Sequence, residues 1–195
     1  MTRAESRERV LRATVQTLAS EGYVRTTARA IARTGGFAPG VIYYHFTDLD
    51  DLFVTTARFT SQARLERYRA ETDGVTGAVD LVRRLRRLHA EDGAEGHIAA
   101  VQELVAAATS SARLAQQVRV ETALWRDFAE TVLRGLLAGT PFAALALTRE
   151  LATVAVAAYL GTEMLSHLDA DSTAPEALFD AAERVAALAD SLHLF

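Results

Sequence analysis

Cysteine and lysine are both missing from this chain of 195 residues. Without cysteine the protein cannot form disulfides, use a thiolate nucleophile, sense redox changes through thiols or hold zinc or iron–sulfur clusters on sulfur. Without lysine, every one of its 21 basic residues is an arginine, which we attribute to genome composition and not to chemistry.

Long hydrophobic runs are missing too. The longest uncharged apolar stretch with helical character lies between Glu150 and Glu163, well short of the roughly 20 residues that a bilayer span needs. The first residues mix acidic with basic side chains and contain no apolar run before a small-residue cleavage site, unlike a signal peptide. We therefore expect a cytoplasmic protein without a membrane partner.

Motifs of catalysis are equally absent from the sequence. It has no phosphate-binding glycine loop, no HExxH pair and no nucleophile elbow. A di-iron site in a helical bundle would need Glu-x-x-His pairs, and the sequence has none at that spacing. We predict that the protein is not an enzyme and has no catalytic residues, no metal site and no cofactor.

The composition that remains is that of a folded protein, with half of the residues apolar and about a quarter charged. The net charge is −4, but it is unevenly spread. Residues 1–47 carry seven arginines against three glutamates, a local charge of +4, and the remainder carries −8. An acidic average can therefore hide a basic segment that binds nucleic acid.

Helix signals recur along the chain, and no segment has the pattern of a strand. Thr2 and Glu5 have the spacing of a capping box, which predicts a first helix that ends near Ser20. Further caps and breakers predict helices over 28–34, 39–45, 48–69, 147–168 and 174–192. We predict an all-α fold of about nine helices.

The second and third predicted helices have the pattern of a helix-turn-helix, because a tight turn at Gly35 and Gly36 separates them. In this motif the second helix enters the major groove of DNA. Ile42 and Phe46 are four residues apart and would anchor that helix on the protein. Its outward-pointing residues would then be Gly40, Val41, Tyr43 and Tyr44.

Several short motifs lie in register across this unit: Glu21-Gly22-Tyr23, Thr26-Thr27-Ala28-Arg29-Ala30-Ile31-Ala32, Gly36-Phe37-Ala38-Pro39-Gly40-Val41-Ile42-Tyr43-Tyr44-His45-Phe46 and Leu52. Together they resemble the N-terminal domain of the TetR family of transcriptional regulators over residues 1–55. The resemblance implies a three-helix, helix-turn-helix DNA-binding domain at 1–47 and a helical ligand-binding and dimerisation domain at 48–195. Two positions depart from the family pattern: Ala38 replaces the usual Ser or Thr cap, and Leu49 a frequent lysine.

By that resemblance, one group of residues contacts the DNA backbone: Thr27, Tyr43, Tyr44 and His45. A second group approaches the bases: Arg29, Pro39, Gly40 and Val41. We expect Arg3 and Arg7 of the first helix to touch phosphates. The alternative is that the tyrosines and arginines form only a solvated helix surface.

Apolar residues recur at alternating spacings of three and four in the last two predicted helices. They are Leu151, Val154, Ala158, Gly161 and Leu165 in one helix and Leu178, Ala182, Val185 and Ala189 in the other. Such seams are typical of helix bundles, and they resemble the two-fold interface of the family. We predict a homodimer on a palindromic double-stranded operator; the alternative is that one chain covers both faces itself.

The family resemblance also implies a small-molecule pocket among the middle helices. Candidate contacts, chosen by residue type, are His97, Glu103, Glu121, Trp125 and Phe128. The two aromatic residues continue to Val132 as a stripe at helical spacing, a pattern that ordinary cores share. We predict a repressor that an unidentified small-molecule effector releases from its operator. The alternatives are a ligand-independent or activating regulator, and a helical small-molecule-binding protein without DNA activity.

Overall fold

Nine α-helices make up the part of the chain that the computed structural model describes, which is residues 2–75, 77–140, 143, 147–169 and 173–191. They are α1 (Arg3–Glu21), α2 (Ala28–Gly35), α3 (Gly40–His45), α4 (Leu49–Thr72), α5 (Ala78–Ala94), α6 (His97–Ala107), α7 (Ala112–Leu137), α8 (Thr148–Leu168) and α9 (Ala174–Ser191). No strand occurs in these residues, and the predicted all-α fold is confirmed. None of the helices they form could span a membrane.

The helix starts follow from local capping chemistry. Thr2 and Glu5 form the predicted capping box, in which each side chain accepts a hydrogen bond from the backbone N–H of the other. Asp48 accepts from the N–H of Asp51 at 2.6 Å and so caps α4. The predicted end of the last helix, residue 192, lies outside the described residues.

The chain divides into two compact units, Met1–Arg64 with Asp92–Glu121, and Leu65–Glu91 with Thr122–Phe195. The domain boundary expected between residues 47 and 48 lies inside the first unit and stays a prediction.

Two apolar clusters form the core of the first unit. The helix-turn-helix core consists of Val10, Leu11, Ala13, Ile31, Ile42, Phe46 and Leu52. The second cluster joins α1 to α6, and its most buried members include Leu18, Ala100 and Leu104. A buried ion pair, Arg64 Nε to Asp92 Oδ2 at 2.5 Å, belongs to the same unit. Helices α1, α2 and α3 are therefore joined to the rest of the first unit, since α1 takes part in both clusters.

The second unit has an aromatic core of its own. Tyr68 and Phe128 are buried, and Trp125 packs edge-on against both, with ring centroids 5.0 Å and 5.9 Å away. In the same unit α8 packs against α9. A hydrogen bond of 2.5 Å joins Nε2 of His89 on α5 to Oε1 of Glu163 on α8.

Candidate DNA-binding surface

Helix α3 is fixed to the protein by its apolar side. Ile42 is fully buried and Phe46 is 3% exposed, both in the helix-turn-helix core, as the sequence predicted. Isolated helices shorter than about 12 residues are marginal in water, and α3 has only six residues. Its conformation therefore depends on these anchors and on the turn that precedes it.

The opposite side of α3 is open. Tyr43 and Tyr44 are 57% and 66% exposed, and Pro39 and Gly40 are exposed beside them. Among the described residues, no atom beyond the adjoining backbone lies within 4 Å of the position that a Cβ on Gly40 would take. The chain itself therefore does not require glycine there, whereas close approach of the helix to DNA would.

Val41 differs from its predicted orientation. We expected it to point outward with Gly40, but its side chain is half-buried and packs against the helix-turn-helix core. The reason is geometric: successive residues of a helix are about 100° apart, so the neighbour of the buried Ile42 lies at the edge of the apolar side. Only part of Val41 remains to touch a base.

The N-terminal end of α1 lies against the C-terminal end of α3. The guanidinium of Arg3 stands 5.5 Å from the ring centre of Tyr44, and that of Arg7 stands 4.9 Å from Phe46. His45 Nε2 makes a 2.9 Å hydrogen bond with the Ser6 hydroxyl. Partial burial, reinforced by the two arginine charges, lowers the pKa of His45 below its ordinary value.

Helix α2 contributes two of the predicted residues. Thr27 is the N-cap, and its hydroxyl oxygen accepts from the N–H of Ala30 at 3.2 Å. Its hydroxyl hydrogen is still available to a phosphate oxygen. Arg29, two residues later, is exposed. The predicted DNA-contacting residues thus lie on α2, on α3 and at the start of α1, and all of them are exposed except the half-buried Val41 and His45.

Arg9 is a residue of this surface that the sequence did not single out. Its side chain reaches from α1 to the C-terminal end of α2, where Nε donates to the carbonyl of Gly35 at 2.9 Å and Nη2 to that of Gly36 at 3.0 Å. The signal was present in Ala13, one turn further along α1. A small residue that faces a glycine lets two helices approach closely, and a long side chain one turn away can then reach the second helix.

Three of the five candidate ligand contacts lie in the first unit. His97 Nδ1 is 2.5 Å from the hydroxyl of Thr60, and Glu103 accepts from the backbone N–H of Tyr23 at 2.6 Å. Glu121 is buried and accepts from the side-chain amide of Gln117. Glu103 is thus engaged in holding the α1–α2 turn.

The other two candidates, Trp125 and Phe128, belong to the aromatic core of the second unit together with Tyr68. The stripe that the sequence predicted is present there, since Val132 packs on the same cluster.

Most of the predicted interface residues are exposed in the single chain. Leu151, Val154 and Leu165 on α8 are 45%, 64% and 60% exposed. Ala158 and Gly161 are exposed as well, as are Leu178 and Val185 on α9. Ala189 differs, because it is 8% exposed and its side chain is covered within the chain. Two neighbouring helices therefore carry a large open apolar face, a feature of interaction surfaces.

Residues 10–55 match the family model described as "Bacterial regulatory proteins, tetR family". The matched segment includes most of α1, all of α2 and α3, and the first turns of α4. No curated protein shows significant sequence similarity to the chain.

Solved structures of transcriptional regulators share the fold along nearly the whole chain. A TetR transcriptional regulator from Legionella pneumophila has a TM-score of 0.76 at 16% identity, with 92% of this chain and 96% of that one covered. A transcriptional regulator from Rhodococcus sp. Rha1 has a TM-score of 0.75 at 21% identity, with 93% and 94% covered. The regulator FadR from Bacillus subtilis, in complex with stearoyl-CoA, has a TM-score of 0.68 at 18% identity, with 91% and 96% covered.

Proposed function

We propose that this chain, whose residues 10–55 match the tetR family of bacterial regulatory proteins, is a dimeric repressor that a small-molecule effector releases from a palindromic operator. Regulators of that family bind DNA to control transcription and are not enzymes. The observation that carries the proposal is the surface of α3, where two exposed tyrosines and an open glycine stand beside Arg3 and Arg7.

The DNA-contacting roles follow from chemistry and exposure. We assign Thr27, Tyr43, Tyr44 and His45, with Arg3 and Arg7, to the phosphate backbone, which hydroxyl and cationic groups bind. Arg29 on α2, and Pro39, Gly40 and the open edge of Val41 on α3, then approach the bases. Because α3 is about 9 Å long at 1.5 Å per residue, one copy reads only a few base pairs.

The DNA-binding part is tested by selection from a random-sequence duplex library. We expect the full-length protein to enrich a palindrome whose half-sites are about one helical turn apart. Affinity for the enriched duplex should fall with added salt and exceed that for a shuffled duplex of equal composition. Equal affinity for the two duplexes would contradict sequence-specific regulation and favour a helical small-molecule-binding protein instead.

A homodimer is proposed from the open apolar face of α8 and α9. The large apolar residues of this face are 38% to 68% exposed in the single chain, and a second copy offers the same face in the two-fold arrangement that a palindrome requires. Val154, which is 64% exposed, lies within this face. Arginine at that position would bring two charges together inside the interface.

Sedimentation of full-length variants tests the dimer. Val154→Arg should sediment as a monomer at concentrations where the wild type is a dimer. The matched control is Val24→Arg, because Val24 is 92% exposed in the turn after α1, far along the sequence from α8. A monomeric wild type, or equal dimerisation of the two variants, would refute this part of the proposal.

The effector site is proposed for the aromatic core of the second unit. Tyr68, Trp125 and Phe128 offer an apolar surface suited to an aromatic or aliphatic ligand. The Bacillus subtilis FadR, which has the same fold, binds stearoyl-CoA, so acyl-CoA thioesters are the first probes to use. Trp125 is the only tryptophan in the chain, so its fluorescence reports on this cluster.

Titration with stearoyl-CoA, and with coenzyme A alone as the control, should change the Trp125 fluorescence saturably and release the enriched duplex over the same concentration range. Fluorescence change without release of DNA would favour a regulator that does not act by ligand-induced dissociation. A response to coenzyme A equal to that of the thioester would exclude recognition of the acyl chain.

A further inference from the structure

We infer that Arg9 is a positioning residue for DNA recognition: it sets the orientation of α3 by holding the turn between α2 and α3, without contacting DNA itself. The inference rests on the proposed function in one respect, that α3 is the helix that reads DNA. It concerns four residues, Arg9, Gly35, Gly36 and Phe37, which we call the turn clamp.

Two hydrogen bonds from one guanidinium close the end of α2. Arg9 Nε donates to Gly35 at 2.9 Å and Nη2 donates to Gly36 at 3.0 Å. These carbonyls lie at the C-terminal end of the helix, where carbonyl groups lack partners inside the helix and the helix dipole favours a positive charge. The planar guanidinium presents its N–H groups as a fixed fork, so the two bonds together define the direction of the chain as it leaves α2.

The turn itself is packed against α1 below this fork. A Cβ on Gly35 would lie 2.1 Å from Cε1 of Phe37 and 2.8 Å from the Cβ of Ala13, so the close approach admits only glycine. Gly36 adopts the left-handed conformation, with φ 63° and ψ 42°. The guanidinium of Arg9 stands 5.7 Å from the ring centre of Phe37. The arginine thus bonds to both glycines and covers the aromatic ring between them and α3.

Helix α3 needs such support because its own N-terminus supplies little. Pro39 occupies the N-cap position, and no side chain caps the helix there. Two other polar links join α1 to α2, between Thr17 and Thr34 and between Glu21 and Arg33. Both of these links end on residues that precede Gly35. Among the described side chains of α1, it is therefore Arg9 that bonds to the backbone of the turn between α2 and α3.

A positioning role and a phosphate contact have different signatures. Loss of a phosphate contact weakens binding to all sequences and, with one such contact in each subunit of a dimer, would reduce the salt slope of log affinity by about 2. Loss of orientation leaves the number of neutralised phosphates unchanged. It instead lowers the affinity for the correct sequence, where side chains must meet particular base edges.

The experiment compares Arg9→Ala and Arg9→Lys with Arg12→Ala in the full-length protein. Arg12 is the matched control, because it lies on the same helix and pairs only with Glu8 among the described residues, with both side chains at least half exposed. Both alanine variants lose the same charge. The probes are the duplex enriched by the wild type and its shuffled version.

We expect Arg9→Ala to lose about tenfold in affinity for the enriched duplex, equivalent to about 1.4 kcal/mol, with unchanged affinity for the shuffled duplex and an unchanged salt slope. Arg9→Lys keeps the charge but not the fork, and should also lose affinity for the enriched duplex. Arg12→Ala should behave as the wild type. A reduced slope with equal losses on both duplexes, or full activity of Arg9→Lys, would overturn the inference.

Amide hydrogen exchange in the free protein provides a test that does not depend on DNA. The N–H groups of Val41 and Ile42, which bond to the carbonyls of Ala38 and Pro39 at 2.9 Å and 3.1 Å, should exchange faster in Arg9→Ala than in Arg12→Ala. Equal exchange would refute the clamp even if the protein binds DNA. Faster exchange in a protein that selects no duplex would leave the clamp intact and refute the proposed function.

Discussion

Neutralising Asp92 should destabilise the first unit more than any surface substitution. Asp92 is fully buried and the side chain of Arg64 is 5% exposed, with 2.5 Å between Oδ2 and Nε. Asp92→Asn keeps the side-chain shape but leaves the guanidinium charge in a site with little access to water. Removal of one partner from a buried ion pair typically costs about 3–5 kcal/mol, which for a chain of this size corresponds to a loss of roughly 10 °C in Tm.

Urea and thermal unfolding of the full-length chain, followed by circular dichroism, measure this cost. The control is Glu8→Gln, which breaks the exposed Arg12–Glu8 pair and should cost less than about 0.5 kcal/mol. The double variant Arg64→Met with Asp92→Leu should recover most of the lost stability, because an apolar pair of similar volume needs no desolvation of charge. If Asp92→Asn costs no more than Glu8→Gln, the pair is not the buried ion pair that the geometry describes.

Three further predictions concern the DNA-binding surface. Ala38→Ser should raise the free energy of unfolding in urea by about 0.5–1 kcal/mol, because Pro39 already has helical dihedral angles and a hydroxyl at position 38 can accept from a backbone N–H at the start of α3; an unchanged value would contradict this. In competition binding, Tyr43→Phe should weaken binding to enriched and shuffled duplexes alike, whereas Arg29→Ala should also relax base preference, and equal effects of both would refute the assignment. Because the pKa of His45 is lowered in the folded protein, its imidazole becomes protonated in the unfolded chain at a higher pH than in the folded one. The free energy of unfolding should therefore decrease as the pH falls below 6.5, and it should decrease less steeply in His45→Gln than in the wild type.

The helices of the DNA-binding surface were predictable because their signals are local. Thr2, Thr27 and Asp48 cap helices through bonds that span three residues, and the spacing of Ile42 and Phe46 defines the buried side of α3 whatever packs against it. The predicted orientation of Val41 was wrong because the signal is only local. Val41 follows the buried side of α3, and the sequence does not specify how far the neighbouring helices extend around that side.

The interactions that fix helices to one another were not predictable, because they join residues far apart in the chain. Arg9 was not singled out, because the small residue Ala13 indicates only that some segment approaches α1 closely and does not identify that segment as Gly35 and Gly36. Glu103 was chosen as a ligand contact for its charge, yet it bonds to the backbone of Tyr23, eighty positions earlier. Residue type gives the chemistry of such a group, while the packing of the helices determines what that group meets.

The basic charge of residues 1–47 is a further case in which residue type does not show what a side chain contacts. Four of the seven arginines there are engaged within the protein: Arg9 with the two turn carbonyls, Arg12 with Glu8, Arg25 with the carbonyl of Glu21, and Arg33 with the carboxylate of Glu21. The other three, Arg3, Arg7 and Arg29, have no acidic or carbonyl partner among the described residues, and Arg3 and Arg7 stand over rings of the α3 region. We therefore expect fewer contacts with DNA than the local charge of residues 1–47 would suggest.

The salt dependence of operator binding shows how many of the seven arginines neutralise phosphates. If only Arg3 and Arg7 neutralise phosphates, while Arg29 approaches the bases, a dimer makes four such contacts and log affinity should change with log salt concentration with a slope of about −4. If all seven arginines of each subunit took part, the slope would be about −13. Anisotropy titrations of the enriched duplex over a range of salt concentrations measure it, and Arg7→Ala should make it shallower by about 2 while Arg33→Ala leaves it unchanged. A slope near the steeper value would mean that the internal bonds of Arg9, Arg12, Arg25 and Arg33 break when the protein binds DNA.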